Sequence, residues 1–398
     1  MIVHNSYQQR GGEDTVFEAE YELLRRNGYD VAKYHVSNDE LEGLSRWEAG
    51  RNAIWNPTQV RDLDAAMRDF EPDVVHVHNT LAVISPAVYH VARRYECATV
   101  HTLHNYRLLC PAATFFRGGA VCEDCLGKAV PWPAVKHGCY RGSRAATSVV
   151  ASVLVAHRLM GTFREKVDLY LALTEFARAK FMDAGFPASR LMVKPNFLAG
   201  DPGVGRGDGG YALFVGRLSP EKGLATLLTA WERLGARLPL RIVGDGPLES
   251  WVRDRAETME GVTVLGALDH TGVAEQMKDA VMQVVTSEWY EGLSMVAVEA
   301  FAAGTPVIAP RLGALEEVVT EGHDGVHFNA GDAGSLAEAV LDLLRDSSRL
   351  AAMRQAARRT FEARYSAEVG LRGLERAYVR ATELASAKRR HGPPARSR

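Results

Sequence analysis

The chain has 398 residues, a formal net charge of -2 at pH 7, 46% hydrophobic residues and 24% charged residues. This composition is typical of a globular protein and argues against a disordered chain. The length favours two domains, each large enough to bury a core of its own. The nearly neutral charge predicts no bulk attraction for nucleic acid, so an anionic partner must meet a local basic patch.

No run of about 18 uninterrupted apolar residues occurs, so we expect no membrane-spanning helix. Residues 1–10 turn polar after the third position, which is unlike a signal peptide, and we therefore predict a cytoplasmic location. Five cysteines without an export signal argue against a disulfide framework. The first predicted strand begins almost at Met1, which is consistent with a start codon assigned too far downstream.

Short, β-branched apolar runs alternate with longer amphipathic segments almost from end to end, for example at residues 74–77, 240–243 and 281–286. Runs of this kind indicate buried parallel strands, and the alternation predicts an α/β architecture. A stretch rich in Gly and Asp, residues 196–210, has the composition of a linker. We therefore predict a first domain over 1–195 and a second over 211–360.

The sequence beyond the second domain is helical and charged. We predict a helix over residues 361–386, and the family resemblance described below implies that it crosses back to the first domain. The last residues, 387–398, are basic and contain two prolines, so we expect them to be disordered.

The strongest chemical pattern lies in residues 216–223, GRLSPEKG, which follow a predicted strand. Arg217 and Lys222 would then lie at the carboxyl end of that strand, in the crevice where parallel sheets bind ligands. Two fixed cations suit a diphosphate, although an arginine and a lysine at this spacing alone more often lie in a solvated surface loop. A second turn, VGDGP, supplies Gly244 and Gly246, which permit close backbone approach.

A third strand ends near Thr286 and leads into the segment SEWYEGLS and then a predicted helix. Ser294 is a plausible N-cap, and the first amides of the helix would offer an anion site. Glu291 precedes the helix and Glu299 lies eight positions later, so their carboxylates would be separated by about 12 Å. That distance lets them accept hydrogen bonds from opposite ends of one ligand. Compensation of the helix dipole explains Glu291 but not Glu299, whose helix is apolar.

Together, the segments VGRLSPEKG, VGDGP and EGLSMVAVEAFAAGTPVIA resemble the donor-binding half of the retaining glycosyltransferases of family 4. The resemblance implies the GT-B fold, with two facing Rossmann-like domains and a cleft between them. It implies that Arg217 and Lys222 hold the donor diphosphate, that Glu299 binds the ribose and that Glu291 binds the transferred sugar. Further donor contacts are implied for Gly216, Gly244, Gly246, Gly292, Leu293 and Ser294.

The first half fits the same family through DVVHVHNTLAVISP, from Asp73, and VHTLHNYRLLCP, from Val100. The resemblance implies that His104 is the histidine that reaches the donor sugar, with His101 as the second choice. It places His78 and Asn79 at the end of a neighbouring strand, on the acceptor side.

Two further positions in the first half are weaker candidates. Gly12 opens a predicted helix in the sequence GGED, so its amide could approach an anionic donor group, although a glycine pair alone is more often a turn. Thr174 lies at another strand end, where a substrate contact is conceivable, but capping of the next helix is the more economical interpretation.

The family implies a hexosyltransferase that moves a sugar from a UDP-, GDP- or ADP-sugar to a hydroxyl with retention and without a catalytic metal. The acceptor would be a saccharide, a lipid-linked molecule or a small molecule, in the synthesis of a polysaccharide, glycolipid or other glycoconjugate. Two alternatives are a sugar-nucleotide epimerase of the same fold and a non-catalytic nucleotide-binding protein. The pairing of Glu291 with Glu299 argues against the epimerase.

The insert over residues 110–139 holds four cysteines with the spacing C-x11-C-x2-C-x13-C, namely Cys110, Cys122, Cys125 and Cys139. This set is sufficient for a structural zinc site. Four reduced thiols are an equally good interpretation.

Three cations, Lys136, Arg141 and Arg144, precede an apolar stretch over residues 145–160. A basic edge on an apolar helix can lie in a membrane interface, which would suit peripheral attachment at the inner face of the membrane and a lipid-linked acceptor. A helix buried in its domain is the favoured interpretation.

Overall fold

A computed structural model describes residues 1–8 and 11–391 of the chain. The fold comprises two compact units. The first contains Met1–Ala113, Glu123–Lys194 and the chain from Gly370 onward. The second contains Thr114–Cys122 and Pro195–Val369, so a short part of the cysteine-containing insert groups with it.

The described residues form fourteen strands. In chain order they are β1 Ile2–Ser6, β2 Lys33–Ser37, β3 Val74–Asn79, β4 Ala98–Leu103, β5 Phe116–Arg117, β6 Ala120–Val121, β7 Leu169–Ala172, β8 Leu191–Val193, β9 Ala212–Val215, β10 Leu240–Val243, β11 Val262–Gly266, β12 Met282–Val284, β13 Val307–Pro310 and β14 Gly325–Phe328.

The same residues form fifteen α-helices. They are α1 Gly12–Arg26, α2 Arg46–Ile54, α3 Pro57–Phe70, α4 Val88–Ala92, α5 Trp132–His137, α6 Arg144–Leu159, α7 Glu175–Asp183, α8 Leu224–Leu234, α9 Glu249–Glu257, α10 His270–Asp279, α11 Met295–Ala302, α12 Ala314–Val318, α13 Ala333–Arg345, α14 Ser347–Arg364 and α15 Ala367–His391.

Each unit is built on a six-stranded parallel sheet. The order in the first unit is β2-β1-β3-β4-β7-β8, and in the second it is β11-β10-β9-β12-β13-β14. The chain therefore reverses its direction of travel across the sheet between β1 and β3 in the first unit and between β9 and β12 in the second. Ligands of open parallel sheets bind at the carboxyl ends of the strands beside such a reversal. The predicted α/β class is confirmed.

Helices cover both faces of the second sheet. Leu227 and Trp231 of α8 pack with Leu336 of α13 in one buried cluster that includes Ile242. Val298 and Phe301 of α11 pack with Phe361 of α14 in another. Because helices cover both faces of the sheet, its strands are continuous apolar runs, and such runs are easily recognised in the sequence.

The predicted linker is packed against the second unit. Gly205 donates its amide to the Ala303 carbonyl, and Gly207 donates to the Lys278 carbonyl. A Cβ on Gly205 would lie 2.1 Å from the Lys278 carbonyl oxygen. The glycines of residues 196–210 therefore permit close backbone packing within the segment that connects β8 of the first unit to β9 of the second.

The last helix belongs to the first unit. Ala377, Ala381 and Ala385 of α15 are fully buried against Val100 and Leu171 of the first sheet. Alanines four residues apart place small side chains along one stripe, which allows the helix to approach the sheet closely.

The predicted boundaries of this last segment need correction. Phe361 lies in α14 and packs in the second unit, and the chain joins the first unit only from Gly370. Helix α15 ends at His391 rather than at residue 386, so residues 387–391 are helical. The rest of the predicted tail, residues 392–398, lies outside the described residues. No helix among residues 1–8 and 11–391 is long and apolar enough to span a bilayer.

Candidate functional site

In the second unit, the candidate site is built by the turns that follow β9 and β12. Residues 216–219 leave β9 and lead into a single 3-10 turn, Pro220–Lys222. Residues 285–294 leave β12 and lead into α11. These two strands are neighbours at the reversal point of the sheet, so both turns lie where a ligand of this sheet class binds.

Two glycines allow the turns after β9 and β10 to pack backbone to backbone. A Cβ on Gly244 would lie 1.9 Å from the Gly216 carbonyl oxygen, and one on Gly246 would lie 2.6 Å from the Leu218 carbonyl oxygen. Leu218 in turn donates its amide to the Asp245 carbonyl at 2.6 Å. The glycines thus hold the turn that carries Arg217, while their predicted contact with the donor stays a prediction.

Lys222 and Glu291 form an ion pair. The Lys222 Nζ donates to Glu291 Oε1 at 2.5 Å, and the Ser287 hydroxyl donates to the same oxygen at 2.6 Å. The Glu291 residue is only 5% exposed. Burial alone would raise the pKa of Glu291, but the ammonium and the hydroxyls of Ser287 and Ser294 hold it below its ordinary value. Glu291 is therefore an ionised carboxylate at neutral pH.

The turn that carries Lys222 is fixed to the turn after β12. The Thr286 hydroxyl donates to the Lys222 carbonyl at 2.7 Å, and the Glu288 amide donates to the Glu221 carbonyl at 2.9 Å. The Lys222 ammonium also lies 5.6 Å from the centre of the Trp289 ring. These contacts preorganise the cation, so little ordering is needed when a ligand arrives.

Arg217 is the exposed cation of this site. Its residue follows β9 by two positions, and the guanidinium makes no hydrogen bond or ion pair with any residue that the structure describes. A free guanidinium presents a fork of donors that matches phosphate oxygens in a bidentate manner. Arg217 and Lys222 therefore differ: one is open to a ligand and the other is held by Glu291.

The segment before α11 places backbone amides at the same end of the sheet. Gly292 and Leu293 are half-buried, and Ser294 occupies the N-cap position of α11. The Ser294 side chain makes no capping hydrogen bond, because its hydroxyl interacts with Glu291. Ser294 thus occupies the predicted N-cap position, but its side chain does not accept the expected capping hydrogen bond. The uncapped first amides of α11 remain able to bind an anion.

Glu299 is a half-buried carboxylate in α11. No hydrogen bond or ion pair joins it to another described residue, and burial raises its pKa to about 7. A carboxylate in an apolar helix without a protein partner is costly unless a ligand supplies the hydrogen bonds. This observation matches the predicted contact with hydroxyl groups.

We expect Glu299→Gln to stabilise the protein at pH 8 by about 1 to 2 kcal/mol, and by much less at pH 5. The folded pKa of about 7 exceeds the ordinary value of 4.5, so ionisation costs folding free energy that is absent at low pH and complete above pH 7. Partial exposure reduces the cost. Urea unfolding at both pH values measures it, with the exposed Glu338→Gln as the control. An equal change at both pH values would contradict the assignment.

In the first unit, the reversal point of the sheet carries the start of α1 and the end of β3. Gly12 is the first residue of α1, and among the described residues no neighbouring atom lies within 4 Å of the place where its Cβ would be. The amide of the preceding residue, Gly11, donates to Asp14 Oδ2 at 2.6 Å. The approach to Gly12 is open, but a carboxylate of the protein already binds the neighbouring amide.

His78 and His104 are brought together, as their two strand ends suggested. His78 Nδ1 and His104 Nε2 lie 2.9 Å apart in a hydrogen bond. His78 is 2% exposed and its Nε2 lies 3.4 Å from Glu20 Oε2. Burial lowers the pKa of both histidines, so both rings are neutral at neutral pH. His104 is only half-buried.

Two other predicted residues, His101 and Asn79, are engaged within the protein. His101 bonds through Nδ1 to the Tyr89 hydroxyl, and burial lowers its pKa to about 3. Asn79 donates to the Asn5 carbonyl at 2.7 Å and accepts from the Leu81 amide at 3.1 Å. These contacts favour structural roles over the predicted donor contact of His101 and acceptor contact of Asn79.

Thr174 caps a helix. Its hydroxyl accepts a hydrogen bond from the Ala177 amide at the first turn of α7, at 3.1 Å. The capping interpretation is confirmed.

A small cavity of about 50 Å³ lies beside His104. Asn105 and Arg107 line it on one side, and Val150 and Leu154 of α6 line it on another. The apolar helix predicted over residues 145–160 thus turns one face inward, and residues 150 and 154 are buried there. The favoured interpretation of a helix buried in its domain is confirmed for this face.

A second polar cluster near the start of α1 was not predicted from the sequence. Burial raises the pKa of Glu13 to about 6, and it raises the pKa of Tyr7 above its ordinary value. Arg107 interacts with Tyr7, and Asn105 donates to Glu13 at 3.5 Å. Glu13 and Asn105 lie 92 positions apart along the chain, so no local pattern reveals the cluster.

The zinc site stays a prediction. Among the described residues, the one group of three potential ligands within 4.8 Å of one another is Glu20, His76 and His78. Cys110, Cys125 and Cys139, which share the first unit, form no such group. The Lys194 ammonium already bonds to Glu20, and this fixed positive charge disfavours a metal ion at the histidine group.

Two family comparisons match the two halves of the chain. The family described as "Glycosyl transferase 4-like domain" matches residues 11–196, and the family "Glycosyl transferases group 1" matches residues 204–360. The chain belongs to glycosyltransferase family 4. The predicted resemblance is therefore confirmed, and the matches cover the second sheet and all strands of the first sheet except β1.

Curated relatives of this family member include two from mycobacteria. Glycogen synthase of Mycobacterium tuberculosis is 31% identical over 295 residues, which cover 73% of this chain and 64% of the relative. Phosphatidyl-myo-inositol mannosyltransferase of Mycobacterium leprae is 31% identical over 215 residues, which cover 50% of this chain and 56% of the relative. The chain thus spans less than two thirds of the length of each of these relatives.

Solved structures show the fold. Sucrose-phosphate synthase from Thermosynechococcus elongatus superposes with a TM-score of 0.69 at 18% identity, covering 97% of this family member and 99% of the other chain. Anabaena HepE in complex with UDP-glucose superposes with a TM-score of 0.65 at 17% identity, covering 94% and 98%. The predicted GT-B fold is confirmed.

Proposed function

We propose that this protein transfers a sugar from a nucleotide-diphosphate sugar to an acceptor hydroxyl, with retention of anomeric configuration. The observation that carries the proposal is the set of groups that follow β9 and β12: the Lys222–Glu291 pair, and Arg217 and Glu299, neither of which bonds to another side chain in the described part of the chain. This set offers cations and amides for a diphosphate and carboxylates for hydroxyl groups. HepE, solved with UDP-glucose, supports a nucleotide-sugar donor.

Lys222 and Arg217 stabilise the leaving diphosphate. An ammonium has three N–H donors, and Lys222 uses one for Glu291, so it retains others for a phosphate oxygen. Arg217 adds a bidentate contact, and the amides at the start of α11 add partial positive charge. Negative charge grows on the diphosphate as the bond to the sugar breaks, and groups fixed in advance stabilise that charge best. No metal is required for this step.

The carboxylates of Glu291 and Glu299 bind hydroxyl groups of the ligand. Glu291 is ionised and buried, so it accepts hydrogen bonds from the transferred sugar with little competition from water. Glu299 lies further along α11 and accepts from the ribose hydroxyls. The departing phosphate oxygen takes the proton of the acceptor hydroxyl on the same face of the sugar, so no protein base acts in this step.

A panel of UDP-, GDP- and ADP-sugars tests the proposal. We expect one member to raise the thermal unfolding temperature in a concentration-dependent manner, because a ligand that binds only the folded state stabilises it. The same member should be hydrolysed slowly without an acceptor and consumed faster when a hydroxyl acceptor is supplied. If none of the nucleotide sugars shifts the transition, the proposal is wrong.

Arg217→Ala is expected to weaken binding of that donor by about 10- to 100-fold, since it removes a charged hydrogen-bonding group from the diphosphate. Calorimetric titration with the nucleoside diphosphate measures the loss. Arg237→Ala is the matched control, because Arg237 is an exposed arginine of the same unit that precedes β10. Equal affinities for wild type and Arg217→Ala would remove this arginine from the diphosphate site.

We also propose that the acceptor is lipid-linked and that the first unit docks on an anionic membrane surface. Four apolar residues around α5 and α6 are exposed: Val130 at 48%, Trp132 at 65%, Leu159 at 84% and Met160 at 39%. Arg158 donates to the carbonyl oxygens of residues 128 and 129, which places this strip beside the end of α6. Exposed aromatic and aliphatic groups insert at the headgroup boundary.

The charge around this apolar strip favours an anionic membrane. Lys128, Lys136, Arg141 and Arg144 are all exposed, and Arg144 donates to the Lys136 carbonyl, which joins the end of α5 to the start of α6. Each cation near an anionic surface contributes about 1 kcal/mol at moderate ionic strength.

Sedimentation with vesicles tests the docking proposal. We expect wild type to bind phosphatidylcholine vesicles only when they contain phosphatidylglycerol, and Trp132→Glu with Leu159→Glu to reduce binding at least about 10-fold. Trp251→Glu, at an exposed tryptophan of the second unit, is the control. Equal binding by all three proteins, or none by wild type, would contradict docking through this strip.

A further inference from the structure

A buried chain of three side chains connects the interior of the first unit to His104. Glu20 of α1 is fully buried, and His78 is 2% exposed. Glu20 Oε2 lies 3.4 Å from His78 Nε2, and His78 Nδ1 lies 2.9 Å from His104 Nε2. His104 is half-buried and lines the small cavity described above. The three residues therefore run from the core to an accessible wall.

Glu20 is an ionised carboxylate in this arrangement. Burial would raise its pKa, but the Lys194 ammonium and the neighbouring histidines hold it well below its ordinary value. Its Oε1 bonds to Lys194. Its Oε2 and His78 Nε2 have no other hydrogen-bonding partner among the described residues, so each is the available partner of the other.

The carboxylate selects one tautomer of His78. A neutral imidazole carries one N–H and one lone pair. A lone pair on His78 Nε2 would face the negative charge of Glu20, whereas an N–H there donates to it. The proton therefore lies on Nε2, and His78 Nδ1 becomes an acceptor. Since His78 Nδ1 accepts, the hydrogen of its bond to His104 must come from His104 Nε2.

The remaining groups of the cluster do not compete for this role. His76 Nδ1 lies 3.6 Å from Glu20, but it bonds to the Tyr378 hydroxyl at 3.0 Å, while His76 Nε2 bonds to the Thr102 hydroxyl at 2.7 Å. Both nitrogens of His76 are thus engaged elsewhere. His104 Nδ1 forms no hydrogen bond with any described residue, so its lone pair is available to a ligand.

We propose that Glu20 is a positioning residue that acts through His78 to fix His104 as the Nε2–H tautomer. His104 Nδ1 then carries a lone pair, and it binds a substrate hydroxyl as an acceptor rather than binding an oxyanion as a donor. This inference rests on the proposed function for the identity of the substrate, but the tautomer is a property of the protein alone. A carboxylate that hydrogen-bonds one ring nitrogen of a histidine and thereby fixes its tautomer is a recurrent arrangement in proteins.

The tautomer is measurable directly in the full-length wild-type protein. Long-range proton–nitrogen correlation spectra of histidine-labelled protein distinguish the two neutral forms, and His78→Asn and His104→Asn assign the signals. We expect His104 and His78 both to be Nε2–H at neutral pH. A His104 ring that carries its proton on Nδ1, or on both nitrogens, would overturn the proposal whether or not the protein transfers sugars.

Glu20→Gln combined with Lys194→Met removes the carboxylate without leaving the buried ammonium unpaired. Because the Gln amide can donate to His78 Nε2, we expect the His104 proton to move to Nδ1 in a substantial fraction of molecules. We also expect kcat for transfer to fall at least about 10-fold with the donor KM changed less than 3-fold. Glu22→Gln, on the exposed side of α1, should change neither signal. Unchanged tautomers and unchanged kcat in the double variant would reject the role of Glu20.

If instead the wild-type tautomers are as expected but no nucleotide sugar is bound or consumed, the proposed function fails while the Glu20 arrangement stands. The spectra and the donor panel thus separate the two failures.

Discussion

Lys222→Met is expected to reduce the rate of sugar transfer at least about 100-fold, because it removes a preorganised cation from the leaving diphosphate. We also expect a loss of about 2 to 3 kcal/mol in the free energy of unfolding, because Glu291 stays buried without that ammonium. The Lys222 side chain is 23% exposed, which places this cost below that of a fully buried pair.

The double variant Lys222→Met with Glu291→Gln separates the two effects. It removes both charges, so stability should return while transfer stays low. Lys278→Met, at a half-buried lysine of the same unit, is the control for loss of a positive charge. Steady-state kinetics and urea unfolding measure the two quantities. A Lys222→Met enzyme that transfers sugar at close to the wild-type rate would exclude Lys222 from catalysis.

Gly223→Ala is expected to destabilise the second unit by about 3 kcal/mol and to lower transfer by about 100-fold. Gly223 has a φ of +67°, and a Cβ there would lie 2.0 Å from the Thr286 carbonyl oxygen. A left-handed conformation costs an L-residue about 1 to 2 kcal/mol, and the clash adds to this cost. Since the turn must move away from Thr286, Lys222 moves with it, and a shift of about 1 Å is sufficient for such a loss of rate.

Gly331→Ala isolates the conformational cost. Gly331 has a φ of +75°, but no atom lies within 4 Å of its Cβ position, so this variant should lose only about 1 to 2 kcal/mol and keep its activity. Thermal unfolding and transfer assays compare the two. Equal losses in both variants would show that the approach to Thr286 is unimportant.

Local patterns in the sequence were sufficient for the sheets and for the charged residues that follow strands. Arg217, Lys222 and Glu291 could be predicted because each lies just beyond an apolar run, and strand ends of a parallel sheet share one edge. The Lys222–Glu291 bond could not, because 69 positions separate its partners. The open state of Arg217 follows from the same three-dimensional arrangement, which no local spacing records.

The helical periodicity of α1 places Glu20 on the buried face of the helix. The buried residues of α1 are Asp14, Val16, Phe17, Glu20 and Leu24, so Glu20 lies between apolar residues of the buried stripe. A charge on the buried face of a helix predicts a buried partner. The sequence does not reveal that the partners are Lys194 and His78, since both come from other elements of the sheet.

Two predictions depend on the surroundings of a segment, which local patterns do not record. The cysteine spacing satisfied a zinc motif and the glycines of residues 196–210 satisfied a linker composition, but neither pattern specifies what surrounds the segment. In the fold, three thiols of the first unit do not converge, and the glycines allow backbone contact with residues 278 and 303. Composition describes what a segment is able to do alone, whereas packing determines what it does.

The placement of α15 has a consequence for biosynthesis. The alanine stripe that covers Val100 and Leu171 is translated last, so the earliest-made sheet keeps an uncovered apolar face until the ribosome has finished the intervening unit. The second unit has its whole sequence available sooner and is able to fold first. A nascent chain halted before Gly370 should therefore depend on chaperones for its amino-terminal half, and an excised amino-terminal half would need the final helix supplied with it.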